Sequence, residues 1–514
     1  MTKKVWIILS VTLIVKCFLA ATTELINDEV YYWTYPQHLQ WCYFDHPAMI
    51  ALLARLSTFN LAFQSEFFLR LGPMICGVGS GWLVYLIGKT LRDERAGLIA
   101  LMLFIASPYS NLMAGWLLIP DAPQLLFWLW SIYLMIKIVQ PPRHSIRNNL
   151  LLFGLIAGCC IYSKVSGVFL WFGFLLYVVL YKRELLKSAW LYVSGCISLI
   201  FVGIIFYWNE TNQFITYSYH SNRVSFFSNI QIDGFFRELF GEAIYNNPIS
   251  FCVIVISVYF FIKRKFILPS YGRLLLLNSL PLIAVVLFVA LFRDTLPHWT
   301  GPAYSTLIPF AAVWVSERTK NISLIPRIVR ASLIFTCFLL MIGIFLLHFS
   351  SFSIGDKSAE HLGKGDVTLD LSGFKKFGSD FDSLYEADKK SGIMKSDAFL
   401  LGDYWFPAAH VDYYVATPRG IPFLAIGGLN NIHHYAWLNR KRKFLQQGDD
   451  AYLVIVSNYF NLPSKSLVEQ FDSVMSPVII PQMRGQTTVR SFYIFRLKNY
   501  KGKVPTSGVL EDLE

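Results

Sequence analysis

A chain that repeats apolar runs of roughly 18 residues with few charges has little choice of fold. In a bilayer such runs must close their backbone hydrogen bonds within themselves, and the helix is the form that does so. Runs of this kind recur here at approximately 5–22, 68–88, 98–115, 119–136, 150–163, 166–181, 190–208, 248–262, 274–292, 300–316 and 331–349. Across 514 residues, 55% are apolar and 16% aromatic, and the mean hydropathy is +0.47. Both point to the membrane as the main solvent.

A formal charge of +12 would suit nucleic acid if it were gathered in one patch. Instead Lys and Arg collect in alternate short loops, "TKK", "GKTLRDER", "KIVQPPRHSIR", "YKRELLK", "IKRKF" and "ERTKNISLIPRIVR". There they outnumber the Lys and Arg of the intervening loops roughly fourfold, which marks the basic face as cytoplasmic and removes the case for a nucleic-acid partner. With an odd number of spans, about 11, the N-terminus lies inside and everything after residue 349 outside. The "FLAA" that ends the first run resembles a leader cleavage site, but the charge alternation works with that span retained. Seven of the eight cysteines fall in predicted spans and Cys42 in an outside loop, so no disulfide framework is readable.

Composition changes at about Ser350, where apolar runs shorten to strand length and charged and turn residues enter. This divides the chain into a transmembrane domain, 1–349, and an extracytoplasmic domain, 350–514. Candidate strands in the second are "AFLLGDY", "VDYYVA", "AYLVIVS", "SPVIIP" and "SFYIFRL". Candidate helices are "FDSLYEADKKSG", "HHYAWLNRKRKFLQQ" and "KSLVEQF", and the alternation suggests an α/β layer structure. Neither a solenoid repeat nor a Walker or GxGxxG phosphate loop is present, which leaves nucleotide-driven transport without support.

A charged group in or beside a span is expensive and so marks function by default. "LINDEVYYWTYPQHLQWCYFDHP" follows the first span and carries Asp28, Glu29, Asp45 and His46. Asp121 lies in "WLLIPDAPQLLF", Lys164 in "GCCIYSKVSG", His220 and Arg223 in the loop "TYSYHSNRVSFF", and His298 with Trp299 in "RDTLPHWTGPAY". The Lys/Arg topology places all of them on the outer side. Acids that orient or activate a hydroxyl, beside cations that hold a phosphate, suit group transfer from a phosphate-linked donor that diffuses in the membrane. Tyr31, Tyr32, Trp33, Tyr35, Trp41, Tyr43 and Phe44 suit the water–lipid boundary, and Pro47 opens a short helix "PAMIALLARLSTF" along it. Each site residue also has an ordinary reading: Asp28 and Glu29 as solvated span ends, Asp121 as a helix N-cap, and Lys164 as a snorkelling side chain. Likewise, Asp45 and His46 suit capping, His220 and Arg223 a plain loop, and His298 and Trp299 interfacial anchoring.

The motifs "NDEVYYW" and "YFDHP" resemble the GT-C superfamily of glycosyltransferases that use polyprenyl-phosphate sugars, in particular bacterial aminoarabinose (lipid A) transferases and protein mannosyltransferase-like enzymes of families 39 and 83. The likeness extends through "IPDAP", "YSKVSG", the His-x-x-Arg spacing of His220 and Arg223, and "LPHWTGP", over roughly residues 1 to 350. His46, Trp299 and Tyr31 depart from the aminoarabinose-transferase pattern, so the sugar is not carried over.

The resemblance implies a polytopic α-helical membrane protein, GT-C-like with about 11–13 transmembrane helices, and a C-terminal extracytoplasmic α/β domain. It implies inverting transfer of a sugar from a polyprenyl (undecaprenyl) phosphate to a lipid or glycan acceptor, such as lipid A or lipopolysaccharide, ahead of a protein one. The location implied is the outer, periplasmic face of the inner membrane. Asp28, Glu29 and Asp121 form the expected catalytic set, and Lys164, Arg223, His46, His220, His298 and Trp299 the expected donor-phosphate set. No cofactor is required; a divalent metal would find carboxylate and imidazole ligands in Asp45, Glu29 and His220. The rival reading is a transporter or flippase of a lipid-linked or anionic solute. Such a protein places its polar groups near the midplane and often shows repeated halves or broken helices.

Overall fold

The computed structural model describes residues 2–140, 146–223, 230–319 and 324–502. They form two compact units, Met1–Ala20 with Gln40–Leu340 and Ala21–Leu39 with Met341–Glu514.

The first unit is a helix bundle, and all eleven apolar runs are mainly helical, the last of them, 331–349, passing into the second unit at Met341. Seven helices among the described residues are long and apolar enough to cross a membrane: Thr2–Thr22, Glu66–Leu91, Asp121–Val139, Ile146–Ser163, Ala189–Thr211, Pro269–Val289 and Arg327–His348. The number rises to nine when each of two bent pairs is taken as one span. Val165–Tyr181 is a shorter apolar helix. Gly301–Arg318 carries Ser305, Thr306, Ser316 and Glu317 and is buried along nearly its whole length.

The run read as a straight span over 98–115 is instead Glu94–Ala106 followed by Tyr109–Trp116, bent by 82°. Pro108 has no N–H to continue the ladder and pushes its predecessor toward extended backbone, and Ser107 sits at φ −81°, ψ 118°. The second bend, 104° between Ile232–Tyr245 and Pro248–Lys263, falls at Asn247, φ 64°, again before a proline. Asn247 is fully buried, and its side chain joins the two breaks. Its Oδ1 accepts from the Ile249 amide (3.0 Å), while its Nδ2 donates to the Ala106 carbonyl (3.1 Å), the Ser332 carbonyl (2.9 Å) and Thr336 Oγ1 (3.0 Å). Backbone groups released by a broken helix need partners in an apolar medium, and this one side chain supplies several of them. Lys16, buried in the first span, does the same for the Gly115 carbonyl at 3.0 Å.

The second unit holds a six-stranded sheet ordered β2-β1-β3-β6-β4, with β5 also paired to β6. Its strands are β1 (Phe399–Gly402), β2 (Phe423–Ala425), β3 (Ala451–Val456), β4 (Phe471–Val474), β5 (Val478–Arg484) and β6 (Thr487–Tyr500). β1 runs parallel to both β2 and β3, and the pairs with β6 are antiparallel. The helix Phe374–Ser391 lays Phe377 flat on Phe492 of β6, with ring centroids 4.0 Å apart.

Three expectations change here. "VDYYVA" is helical, because Asp412 is buried and holds Arg442 (2.7 Å) and Tyr435 (3.0 Å), and this tertiary pairing overrides the strand preference of its neighbours. "HHYAWLNRKRKFLQQ" is helical only over Tyr435–Asn439, and "KSLVEQF" only over Lys465–Val468, with Phe471 already in β4. The short strands β2 and β4 have no counterpart among the candidate strands.

Residues 21–39 join this second unit, whereas the composition change alone puts the division near 350. Glu24 accepts the Phe374 amide (2.8 Å) and the Lys375 amide (3.2 Å), capping the start of their helix, and the Leu25 amide donates to the Tyr414 hydroxyl (2.7 Å). Tyr31, Tyr32, Trp33 and Tyr35 are therefore core residues of this unit and not interfacial anchors, whereas Trp41, in the first unit, is exposed.

Candidate active site

In the first unit the polar focus lies at the head of the helix Asp121–Val139. Asp121 is 3% exposed and is the first residue of that helix, not its cap. Its carboxylate accepts one hydrogen bond from Lys164 Nζ (Oδ2, 2.9 Å) and one from the Tyr109 hydroxyl (Oδ1, 3.1 Å), and His298 adds a favourable electrostatic interaction. Lys164 thus turns inward to an ion pair and does not snorkel. The turn that delivers it depends on Gly167, where a Cβ would sit 2.7 Å from the Ile161 nitrogen. The break at Pro108 delivers Tyr109. Lys164 gives one N–H donor to Asp121, and an ammonium has three, which leaves donors for a third group such as a phosphate oxygen.

Tyr109 lies flat against Gly301, where an added Cβ would meet its ring carbons at 2.2 to 2.4 Å. Gly301→Ala should therefore displace the ring and destabilise the protein by about 1–3 kcal/mol, read as a lower melting temperature. The Gly301→Ala/Tyr109→Ala pair should lose less stability than the sum of the two single variants, because the clash and the ring are removed together.

A second cluster in this unit gathers Asp45, His46 and His220. His220, expected in a loop, is on the helix Ile215–Arg223, and its Nε2 donates to the backbone carbonyl of Asp45 at 2.6 Å. The His46 and His220 rings are 5.9 Å apart. Arg223 ends that helix, and its side chain lies outside the described residues. Trp299 packs on the main apolar core, and His298 lies beside Tyr245, ring centroids 6.4 Å apart.

Two buried carboxylates, Glu238 and Glu242, escape a sequence reading because one helical turn of "RELFGEA" looks like a solvated face. They share a side of the helix Ile232–Tyr245 and accept from Thr295 (2.6 Å) and Tyr304 (2.9 Å). Among the described residues no group of three or more His, Cys, Asp or Glu could hold a metal ion. Asp45 meets His220 through its backbone carbonyl.

The second unit holds Asp28 and Glu29 on the short helix Asn27–Trp33. Glu29 is fully buried and reaches back to the Ile26 amide (3.1 Å), the reciprocal half of a capping box. Asp28, in contrast, is exposed and lines a cavity of about 530 Å³ together with Asp370, Asp403, Trp405, Phe406 and Tyr459. Burial pushes Asp403 up to about 6. It also pushes Asp370 up to about 6, against the pull of Arg490 and a hydrogen bond from Asn27.

In the unfolded chain Asp403 loses its proton near pH 4 and in the folded protein near 6, so stability falls as pH rises between those values and stays lower above them. Asp403→Asn should raise stability at pH 7.5 by about 2–3 kcal/mol at most, and the advantage should vanish toward pH 4 in melts across that range.

The family model described as dolichyl-phosphate-mannose-protein mannosyltransferase matches residues 45–208, a segment that includes Asp45, His46, Asp121 and Lys164. No curated protein sequence matches the chain significantly. Among solved structures, ArnT from Cupriavidus metallidurans in the apo state is 12% identical, covers 99% of both chains and superposes with a TM-score of 0.62. ArnT from Cupriavidus metallidurans bound to undecaprenyl phosphate is 13% identical, with 95% of this chain and 98% of that one covered and a TM-score of 0.63. At such identity the likeness is one of fold. The chain has an ArnT-like fold, a helical bundle with an α/β C-terminal region, and resembles the mannosyltransferase family over the segment that carries Asp121 and Lys164.

Proposed function

We propose that the protein is an inverting glycosyltransferase of the inner membrane. In this reading it takes a sugar from a polyprenyl phosphate, such as undecaprenyl phosphate, and passes it to an envelope lipid or glycan, with lipid A or lipopolysaccharide as the leading class, at the periplasmic face. The observation that carries this reading is the Asp121–Lys164 pair, buried at the head of a span within the segment matched by the mannosyltransferase family. The full-length fold likeness to a protein bound to undecaprenyl phosphate supports the donor class.

The acceptor oxygen attacks the anomeric carbon from the face opposite the phosphate, the carbon–oxygen bond to phosphate breaks, and the acceptor proton passes to Asp28. The polyprenyl phosphate leaves as a monoester with one more negative charge than the donor carried. Lys164, Arg223, His46, His220 and His298 offset that charge in a partly dry site, and Trp299 walls it. Asp121 aims Lys164, and Glu29 keeps the Asp28 helix wound. A phosphate departs without a general acid, so neither a metal nor another cofactor is needed.

The two bent spans also suit a transporter of a lipid-linked or anionic solute. Purified protein in nanodiscs, given total polyprenyl-phosphate sugars and an envelope extract, should add a sugar mass to one envelope lipid or glycan. Absence of any product, with movement of lipid-linked sugar across a proteoliposome membrane, would replace this reading with transport.

A further inference from the structure

The cavity beside Asp28 carries a chemistry of its own. Asp403 directly follows Gly402, the last residue of β1, and Tyr459 closes the turn Ser457–Tyr459 that comes after β3. β1 and β3 are parallel neighbours, while β2 lies on the other side of β1, so the chain leaves β1 in one direction and β3 is reached in the other. In an open α/β sheet, the crevice outside the carboxyl ends of two such strands is where ligands bind.

The walls are built of two materials. Trp405 stacks on His433, with centroids 5.6 Å apart and planes 15° from parallel, and meets Tyr31 at 5.3 Å. Phe406 meets Tyr459 edge-on at 4.5 Å. These contacts hold the rings before any ligand arrives, and an aromatic face suits the C–H side of a pyranose ring.

Between the rings stand Asp28, Asp370 and Asp403, and among the described residues no Lys, Arg or His lines the cavity. Asp403 is 6% exposed, and its Oδ2 has no hydrogen-bond partner among the described residues. A buried carboxyl oxygen without a donor is costly, and a hydroxyl entering the cavity would satisfy it. A phosphate would offer no donor when ionised and would face three acids, while the buried Arg490, outside the lining, already pulls on Asp370. Burial raises Asp370 and Asp403 to about 6, so below that pH each can donate to a sugar hydroxyl as well as accept from one.

We propose that this cavity is the acceptor subsite, and that it takes an uncharged, hydroxyl-rich ring, a neutral sugar residue of a glycan or glycolipid, in preference to a phosphate group. Its role as acceptor subsite rests on the glycosyl-transfer reading above, whereas the recognition of a neutral sugar does not.

The test is saturation-transfer NMR on the full-length protein in nanodiscs without donor. The probes are methyl glucoside, methyl galactoside, methyl mannoside, glucosamine and glucose 6-phosphate, each at about 10 mM, a concentration suited to millimolar affinity. At least one neutral glycoside should receive saturation on its ring protons, and glucose 6-phosphate should receive none. The signal should fall at least roughly tenfold in Trp405→Ala and in Asp403→Leu. Asp403→Asn, which keeps the shape of the side chain, is the check on folding and should retain a measurable part of it.

Equal saturation of glucose 6-phosphate, a preference for glucosamine over every neutral glycoside, no saturation by any neutral sugar, or an unchanged signal in both Trp405→Ala and Asp403→Leu would each overturn the proposal. Neutral-sugar binding without any donor turnover would leave the cavity's specificity standing and remove its role as acceptor subsite.

Discussion

Lys164→Met should destabilise the protein by about 3–5 kcal/mol, because it strands the Asp121 carboxylate in a buried site with the Tyr109 hydroxyl as its remaining side-chain donor among the described residues. Removing the second charge reverses most of that cost, since a neutral pair of similar size is often as stable as the ion pair it replaces. The Asp121→Asn/Lys164→Met double variant should therefore melt close to wild type. Activity should take a different course. If Lys164 stabilises the departing phosphate, the double variant remains slow by about 10²–10³ even though it is folded. A stable double variant with near-normal transfer would reduce the pair to a structural strut.

Asp28→Asn should leave folding intact, because Asp28 is exposed and the capping of its helix belongs to Glu29. Initial rates of transfer should nevertheless drop by about 10²–10⁴, the range for loss of a positioned base. Glu29→Gln keeps the capping geometry and should cost little rate, whereas Glu29→Ala should loosen the helix and cost both. This contrast separates the two acids of "NDEVYYW", which are neighbours in sequence and unlike in use. A large rate loss in Glu29→Gln together with a normal Asp28→Asn would exchange their roles.

The membrane bundle is legible in the sequence because the physics is blunt. Long apolar runs with few charges must become helices, and the eleven do so over most of their length. The break at Ser107–Pro108 is less so, although the proline is in plain view: apolar periodicity reports that a segment is buried, not whether it is straight. The pairing of Asp121 with Lys164 spans 43 residues of sequence. Charge counting places both on one side of the membrane but cannot show that they neutralise each other. Glu29 carries only half of a cap signal, because the residue three positions before it is Ile26, which has no side-chain acceptor. Asp403 is hidden inside "AFLLGDY", which reads as one strand; the strand stops at Gly402, and the loop leaving the carboxyl end of a parallel strand is where an α/β sheet places its ligands. Asp412 shows the opposite failure, a strand-like segment held helical by a buried Asp–Arg pair that no local pattern announces.

The central claim is that a sugar leaves a polyprenyl phosphate by direct displacement. Phosphorus NMR of the purified protein in nanodiscs, with one equivalent of a defined polyprenyl-phosphate-linked sugar and an envelope acceptor extract, tracks that bond itself. The donor phosphodiester signal should give way to a phosphomonoester as product forms, and the anomeric proton of the new glycoside should show inverted configuration. A phosphodiester that persists while lipid-linked sugar appears in the opposite leaflet of a proteoliposome would contradict it.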